Sequence, residues 1–444
     1  MRSKTLLSRG ECWSDFYIRL TPKLGLISIG LGLRLYIQPF LHLHPIGGGP
    51  QVAHMTISHH PHDRVRSGKK HRRSSNRKRC NPRTRSDVIT ATSQIKTSAL
   101  SSVSSSTRTD ASSSSIGLDT PSSPDGPRQS CFPALNFDMP DNVPSSLDNW
   151  WCNAKDEYAF MGFSYSIASC PSYDQLVKDF KRQRNTYQAR YVRLYSNCDK
   201  QGYNDDLINA AWEAGVGLLP LIWFGFDGDE SYRPRKKALL QTIKSNPKAP
   251  FVVRTVQFGS EPLFDWAISA DGLADQINDV KQKLSQYITG QPTAMQVSTS
   301  EMPYGYQIHG NAPKVFSSVS TLLANSLPFF AQDASTARKA FSHVTSDLNY
   351  LKKQGADKKI IITQTGWPSN ADVWKANSAA AQANVAQSKA YFDLLDDKCE
   401  DFKQGPKGGV GWFAHIWSDD GLPGWGVVGY DGKAKFEFKA RTTC

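Results

Sequence analysis

Two positions carry side chains on which chemistry could turn. Glu261 closes the run "VVRTVQFGSE" at 252–261, and Gln364 closes "KIIITQ" at 359–364. Each stands where an apolar, β-branched segment, the pattern of a buried strand, gives way to a loop. A carboxyl in such a place can give or take a proton; its bland alternative is a buried ion-pair partner. Gln364 is neutral and offers no anionic oxygen, so it has no charge with which to attack or stabilise a reacting centre. Three further carboxyls follow strand-like runs: Glu301 in "STSEMPYG", and Asp419 and Asp420 in "HIWSDDG". Their bland readings are a hydrogen-bonding group and a solvated loop pair. No CxxC spacing suggests a metal, and His309, His343 and His415 have no nucleophile-elbow serine beside them. No cofactor is called for.

These residues need elements to hold them. Strand-like runs occur at Phe160–Tyr165, Tyr191–Tyr195, Val216–Trp223, Val252–Phe258, Met295–Thr299, Leu327–Ala331, Lys359–Thr363 and Val410–Trp417. Between them lie amphipathic stretches such as "SYDQLVKDFKRQRN", "DDLINAAWEAG", "DGLADQINDVKQKLSQY", "STARKAFSHVTSDLNYLKKQG" and "SAAAQANVAQSKAYFDLLDDK". Eight strands alternating with helices predict an α/β fold, a (β/α)8 TIM barrel, over residues 131–444. A doubly wound open sheet is the alternative, but no Gly-rich phosphate fingerprint follows the first strand. A barrel would bring Glu261 and Gln364 to one C-terminal mouth, where such folds keep their chemistry.

The motifs at these strand ends resemble the family 17 glycoside hydrolases, which cleave or rearrange β-1,3-glucans. The resemblance rests on "MGFSYS" at 161–166, "VRLYSNCD" at 192–199, "FGSE" at 258–261 and "TQTGWPS" at 363–369, and runs from about residue 158 to 420. It implies retaining glycoside chemistry, with one carboxyl as acid/base and a second as nucleophile, about 5–5.5 Å apart. It makes Glu261 the general acid/base and puts Gln364 where a glutamate nucleophile is expected. It also puts Ser260 where an asparagine would touch the 2-hydroxyl of the reacting sugar. Glu301, Asp419 or Asp420 could replace the missing carboxylate as nucleophile, or act as base toward water at the wider inverting separation of roughly 6.5–9.5 Å. Aromatic faces pack on sugar rings. Tyr165, Tyr195, Tyr304 and Trp367 are therefore candidate substrate contacts with Ser260 and Glu301, and Trp223 and Trp417 stand near strand ends too. The expected partner is a β-glucan polysaccharide, as substrate or, with turnover lost at Gln364, as ligand of a carbohydrate-binding pseudoenzyme.

The remainder of the chain reads differently. The formal charge of +13 arises within residues 1–130, which hold 20 Lys+Arg against 7 Asp+Glu; residues 131–444 hold 33 of each. The basic excess therefore says nothing of the barrel's ligand, and no nucleic-acid partner is expected. Residues 24–33 have the length of a signal-peptide apolar region, a candidate signal anchor, but are too short for a stable membrane span. The basic run 64–85, with "RKRC" at 77–80, reads as a solvated charge run, a dibasic processing site or a nucleic-acid tail. Residues 92–115 are 15 Ser/Thr of 24, a linker unable to bury a core. Residues 1–130 are thus expected to be a disordered leader and tail. Six of the eight cysteines lie at or after 131, which predicts up to three disulfides in an oxidising compartment. The expectation is a secreted or cell-wall monomer.

Overall fold

A computed structural model of the chain describes residues 131–225, 230–288, 295–356 and 358–444. The leader, basic run and linker expected over 1–130 lie outside the described residues.

Nine parallel strands form one sheet: β1 Ala159–Ser166, β2 Tyr191–Tyr195, β3 Gly217–Leu219, β4 Leu221–Ile222, β5 Thr255–Ser260, β6 Gln296–Glu301, β7 Leu322–Asn325, β8 Ile360–Thr365 and β9 Gly411–Ala414. Their order is β3-β2-β1-β9-β8-β7-β6-β5-β4. The two ends of that order, β3 and β4, are consecutive in the chain and parted only by Pro220. Proline has no N–H for the ladder, so the strand breaks there. Its carbonyl still accepts from Gln257 N at 2.8 Å, and Leu218 O accepts from Arg254 N at 2.9 Å. The two short strands thus fill one position, and the sheet closes as a TIM-like α/β barrel of eight positions.

Parallel neighbours require long crossovers. Helices over Tyr173–Tyr187, Tyr203–Ala214, Tyr232–Ser245, Ala270–Tyr287, Phe341–Gly355 and Val385–Asp397 supply most of them. Ser172, Ser269 and Asn384 cap three of these by accepting from the N–H three residues on. One expected strand is corrected. Leu327–Ala331 is not in the sheet: Pro328–Phe330 forms a 3-10 turn, and the strand at this position is Leu322–Asn325. Pro328 cannot donate to a ladder, whereas Leu322–Asn325 is uninterrupted and buried throughout. Two helical stretches also start late, at Phe341 and Val385, behind irregular lead-ins.

Two apolar cores result. Inside the barrel, Met161, Tyr191, Leu219, Leu323, Ile361 and Phe413 form a floor. Outside, the alternate residues Val192, Leu194, Val256, Phe258, Ile360 and Ile362 join the larger layer under the helices. Period-two alternation makes this division. Three disulfides, Cys131–Cys152, Cys170–Cys198 and Cys399–Cys444, use all six cysteines from 131 onward, as expected.

Candidate active site

The inward-facing positions above the apolar floor are polar, and they assemble the site. Arg193, one alternation step above Tyr191 on β2, is fully buried. Its Nε donates to Gln257 Oε1 at 2.8 Å, and its Nη2 donates to Ser260 Oγ at 2.9 Å and Ser300 Oγ at 3.4 Å. Burial pushes its pKa down to about 10, with Tyr195 and Glu261 opposing, so it stays charged at neutral pH.

Glu261 follows β5 through a backbone that turns sharply. Gly259 has φ 88°, and a Cβ there would lie 2.7 Å from Pro262 Cγ, so glycine is required. Glu261 itself has φ 58°, a left-handed conformation held by its N–H bond to Ser300 O at 2.7 Å. For a non-glycine residue this costs on the order of 1 kcal/mol or more and belongs to the kind of strain that collects at functional sites. The half-buried carboxyl has its Oε1 2.9 Å from one terminal atom of the Asn325 amide. Burial raises its affinity for a proton, and the Arg193 charge opposes without cancelling.

Gln364, 4% exposed on β8, faces the same polar cluster. One terminal atom of its amide lies 2.8 and 3.2 Å from Arg193 Nη1 and Nη2 and 3.2 Å from Ser260 Oγ. The other lies 3.2 Å from that same terminal atom of the Asn325 amide. A guanidinium can only donate, so the amide oxygen belongs on the Arg193 side.

Tyr195 borders this cluster. The Arg193 guanidinium sits 5.5 Å from its ring centroid, and the His415 ring meets it edge-on at 5.1 Å. Burial and then the Glu261 charge push the phenol up to about 12. His415 is 3% exposed, and its Nδ1 has no hydrogen-bond partner. Burial, with Arg193 adding, holds its imidazole well below the usual range and therefore neutral.

The structure thus gathers four expected residues, Glu261, Gln364, Ser260 and Tyr195. Others fall elsewhere. Glu301 is fully buried beneath the loop after β5: its Oε2 accepts from Leu263 N at 2.8 Å and Phe264 N at 3.3 Å, and its Oε1 from Met302 N at 2.9 Å. It braces the Glu261 loop, with both of its oxygens engaged by backbone N–H groups. Asp419 is paired with Lys435 at 2.9 Å and accepts from Gly426 N, and Asp420 is exposed, so neither is a spare nucleophile. Tyr165 is corrected as well: alternation turns it toward the helices, where its hydroxyl donates to Asp179 at 2.8 Å and Phe180 packs on its ring. Trp367 is 1% exposed, packs on Phe329 and Tyr391, and donates its indole N–H to Gln382 O, so it offers no open face. Tyr304 stands partly exposed on the rim beside Phe264. Trp417 is buried against Phe163 and Tyr187, and Trp223 lies under Arg235.

Sequence reasoning missed Arg193, Asn325 and His415. Arg193 had a signal: a lone charge in the apolar run "YVRLY". Asn325 ends the strand Leu322–Asn325, which the sequence pattern puts at Leu327–Ala331. Among the described residues no group of three metal-ligating side chains is found, and no helix is long and apolar enough to cross a membrane.

Comparison with known proteins follows the same lines. The family model described as the BtgE/BtgC glycoside hydrolase domain matches residues 159–424. A probable beta-glucosidase, btgE of Aspergillus terreus, is 32% identical over 148 residues. That match takes in 33% of this chain but only 24% of the length of the relative. The crystal structure of a glycoside hydrolase family 17 β-1,3-glucanosyltransferase from Rhizomucor miehei aligns with a TM-score of 0.50 at 19% identity, over 63% of this chain and 97% of that one. At that identity the likeness is one of fold.

Proposed function

The chain belongs to the BtgE/BtgC glycoside hydrolase domain family, and on that premise we propose that its barrel mouth binds a β-1,3-glucan and acts on its O-glycosyl bonds. The observation that carries this reading is Glu261: a carboxyl at a strand end, on a strained turn, beside Tyr195, with its proton affinity raised by burial. A general acid needs a proton to give near the working pH, and such an environment supplies it. Glu261 would protonate the leaving glycosidic oxygen. The family 17 resemblance supports the same role and supports β-1,3-glucan as the substrate class. Three disulfides fit a secreted or wall-associated protein.

Gln364 limits what the site does next. In the family 17 pattern it holds the nucleophile place, and an amide cannot form the glycosyl ester of the retaining route. Glu301 is sealed by backbone donors and Asp419 is held by Lys435, so neither fits that role. Bond cleavage would then need direct attack by water or an acceptor sugar on an oxocarbenium-like centre, assisted by Glu261. A second reading is favoured by the same residue: the barrel binds glucan and does not turn it over.

One assay separates the two. Reducing-end release from soluble β-1,3-glucan is measured for the wild type, Glu261→Ala and Gln364→Glu, alongside equilibrium binding of oligosaccharides. Wild-type release that disappears in Glu261→Ala supports the first reading. Wild-type binding without release, with release gained in Gln364→Glu, supports the second. No binding of β-1,3-linked oligosaccharides by any of the three proteins would overturn both.

A further inference from the structure

The amide at position 364 does more than omit a charge. Its oxygen must face Arg193 Nη1 and Nη2, at 2.8 and 3.2 Å, because those groups can only donate. Its NH2 therefore faces the terminal atom of Asn325 that lies 3.2 Å away. For that contact to be a hydrogen bond, the Asn325 atom must be its carbonyl oxygen. The same Asn325 atom lies 2.9 Å from Glu261 Oε1. Two acceptor oxygens at that distance need a proton between them, and Glu261 is the group that can carry it. The other end of Asn325 fits this orientation: its NH2 then points to Ser300 Oγ at 2.7 Å and Thr363 Oγ1 at 3.1 Å. Those hydroxyls can accept, with Ser300 donating to Thr363 at 2.5 Å and Thr363 donating to Ala324 O at 3.1 Å. Each of these contacts then pairs a donor with an acceptor, and Asn325 is 1% exposed, so water offers little relief to any alternative.

We infer that Gln364, acting through Asn325, keeps a proton on Glu261 in the resting site. Asn325 is a positioning residue: it reads the chemistry at 364 and sets the state of the acid. The charged and titratable neighbours are Arg193 and Tyr195 from β2, Glu301 from β6, His415 just after β9 against Tyr195, and Asp265 on the same loop. Arg193 favours the ionised acid and Glu301, if charged, opposes it; neither requires Asn325 to face either way. The inference deepens the proposed function, since it concerns the same acid, but its test needs no saccharide and no turnover.

The full chain is labelled with 13C at the glutamate carboxyl, and the Glu261 signal is identified by its loss in Glu261→Gln. Its titration is followed in the wild type, Asn325→Leu and Gln364→Met. The wild-type midpoint is expected above the ordinary glutamate value of about 4.3. Asn325→Leu should lower the proton affinity about tenfold, the size of one lost hydrogen bond to the protonated form. If Asn325 instead donates to an ionised Glu261, the same variant raises the affinity, and that sign overturns the inference. Should Asn325→Leu fail to fold, Gln364→Met decides: it frees Asn325 to donate to Glu261, so a lower affinity supports the coupling and an unchanged or higher one refutes it. A wild-type midpoint at or below the ordinary value also refutes it. Failure of the glucan assay leaves these titrations untouched, so the two proposals fall separately.

Discussion

The two ends of the barrel treat buried carboxyls in opposite ways. At the N-terminal end Glu157 accepts from Arg254 Nε at 2.8 Å and from the Tyr191 hydroxyl at 2.6 Å. Burial would raise its pKa, but the Arg254 charge and these bonds outweigh burial and hold it below the usual range. At the C-terminal end Glu261 is bonded to a neutral amide, Arg193 reaches it only through space, and burial wins. A carboxyl with a cation in direct contact is locked as an anion and serves the fold. A carboxyl denied that contact keeps a proton to exchange. Asp419 refines the rule. It stands at the mouth end yet is bonded to Lys435, so contact rather than location decides.

The largest tests of this contrast replace one acid at each end. Glu261→Gln should reduce any wild-type glucan cleavage by about 10²–10⁴-fold, the usual worth of a general acid. Because its folded pKa is raised, the native state binds the extra proton and ionisation there costs stability. Glu261→Gln should therefore melt at or above the wild-type temperature at neutral pH. That gain should shrink as pH falls and vanish below about 4.3, where both states are protonated. A clear loss of melting temperature would mean that Glu261 is structural.

Glu157→Gln should behave in reverse. Removing one member of a buried pair leaves Arg254 uncompensated and should cost about 3–5 kcal/mol in denaturant unfolding. The folded pKa is lowered, so the wild-type advantage is present above about 4.3 and fades as pH falls through the folded value. An advantage that persists in acid would break the assignment. Asp419→Asn should show a smaller loss of about 1–3 kcal/mol, through its bonds with Lys435 and Gly426, with little change in saccharide binding. Asp420→Asn, on an exposed loop residue, should stay within about 0.5 kcal/mol of wild type. Reversal of the order of these last two would count against reading Asp419 as a brace.

Much of the scaffold was legible. Strand-like runs at seven of the eight expected positions overlap real strands, because β-branched runs bounded by loop residues can be buried in few other ways. The exception, Leu327–Ala331, shows the limit: a proline in a short apolar run outweighed its hydrophobicity. Tyr165 and Trp367 show another. Both are aromatic and near strand ends, but side-chain direction is set by alternation and by the loop path, and both were turned into packing layers. Alternation could have flagged Tyr165, since it shares a face with Phe163 under the helices.

The sequence alone determined the acid at 261, the amide at 364, the glycine that shapes the turn before Glu261, and the strand and helix periods that make a barrel. Only the tertiary structure decided that Arg193, Asn325 and Gln364, drawn from three separate strands, form one hydrogen-bonded chain ending at Glu261. Local patterns specify which backbone forms; the direction of a hydrogen bond depends on what stands at its far end, and in a closed barrel that partner comes from a distant part of the chain.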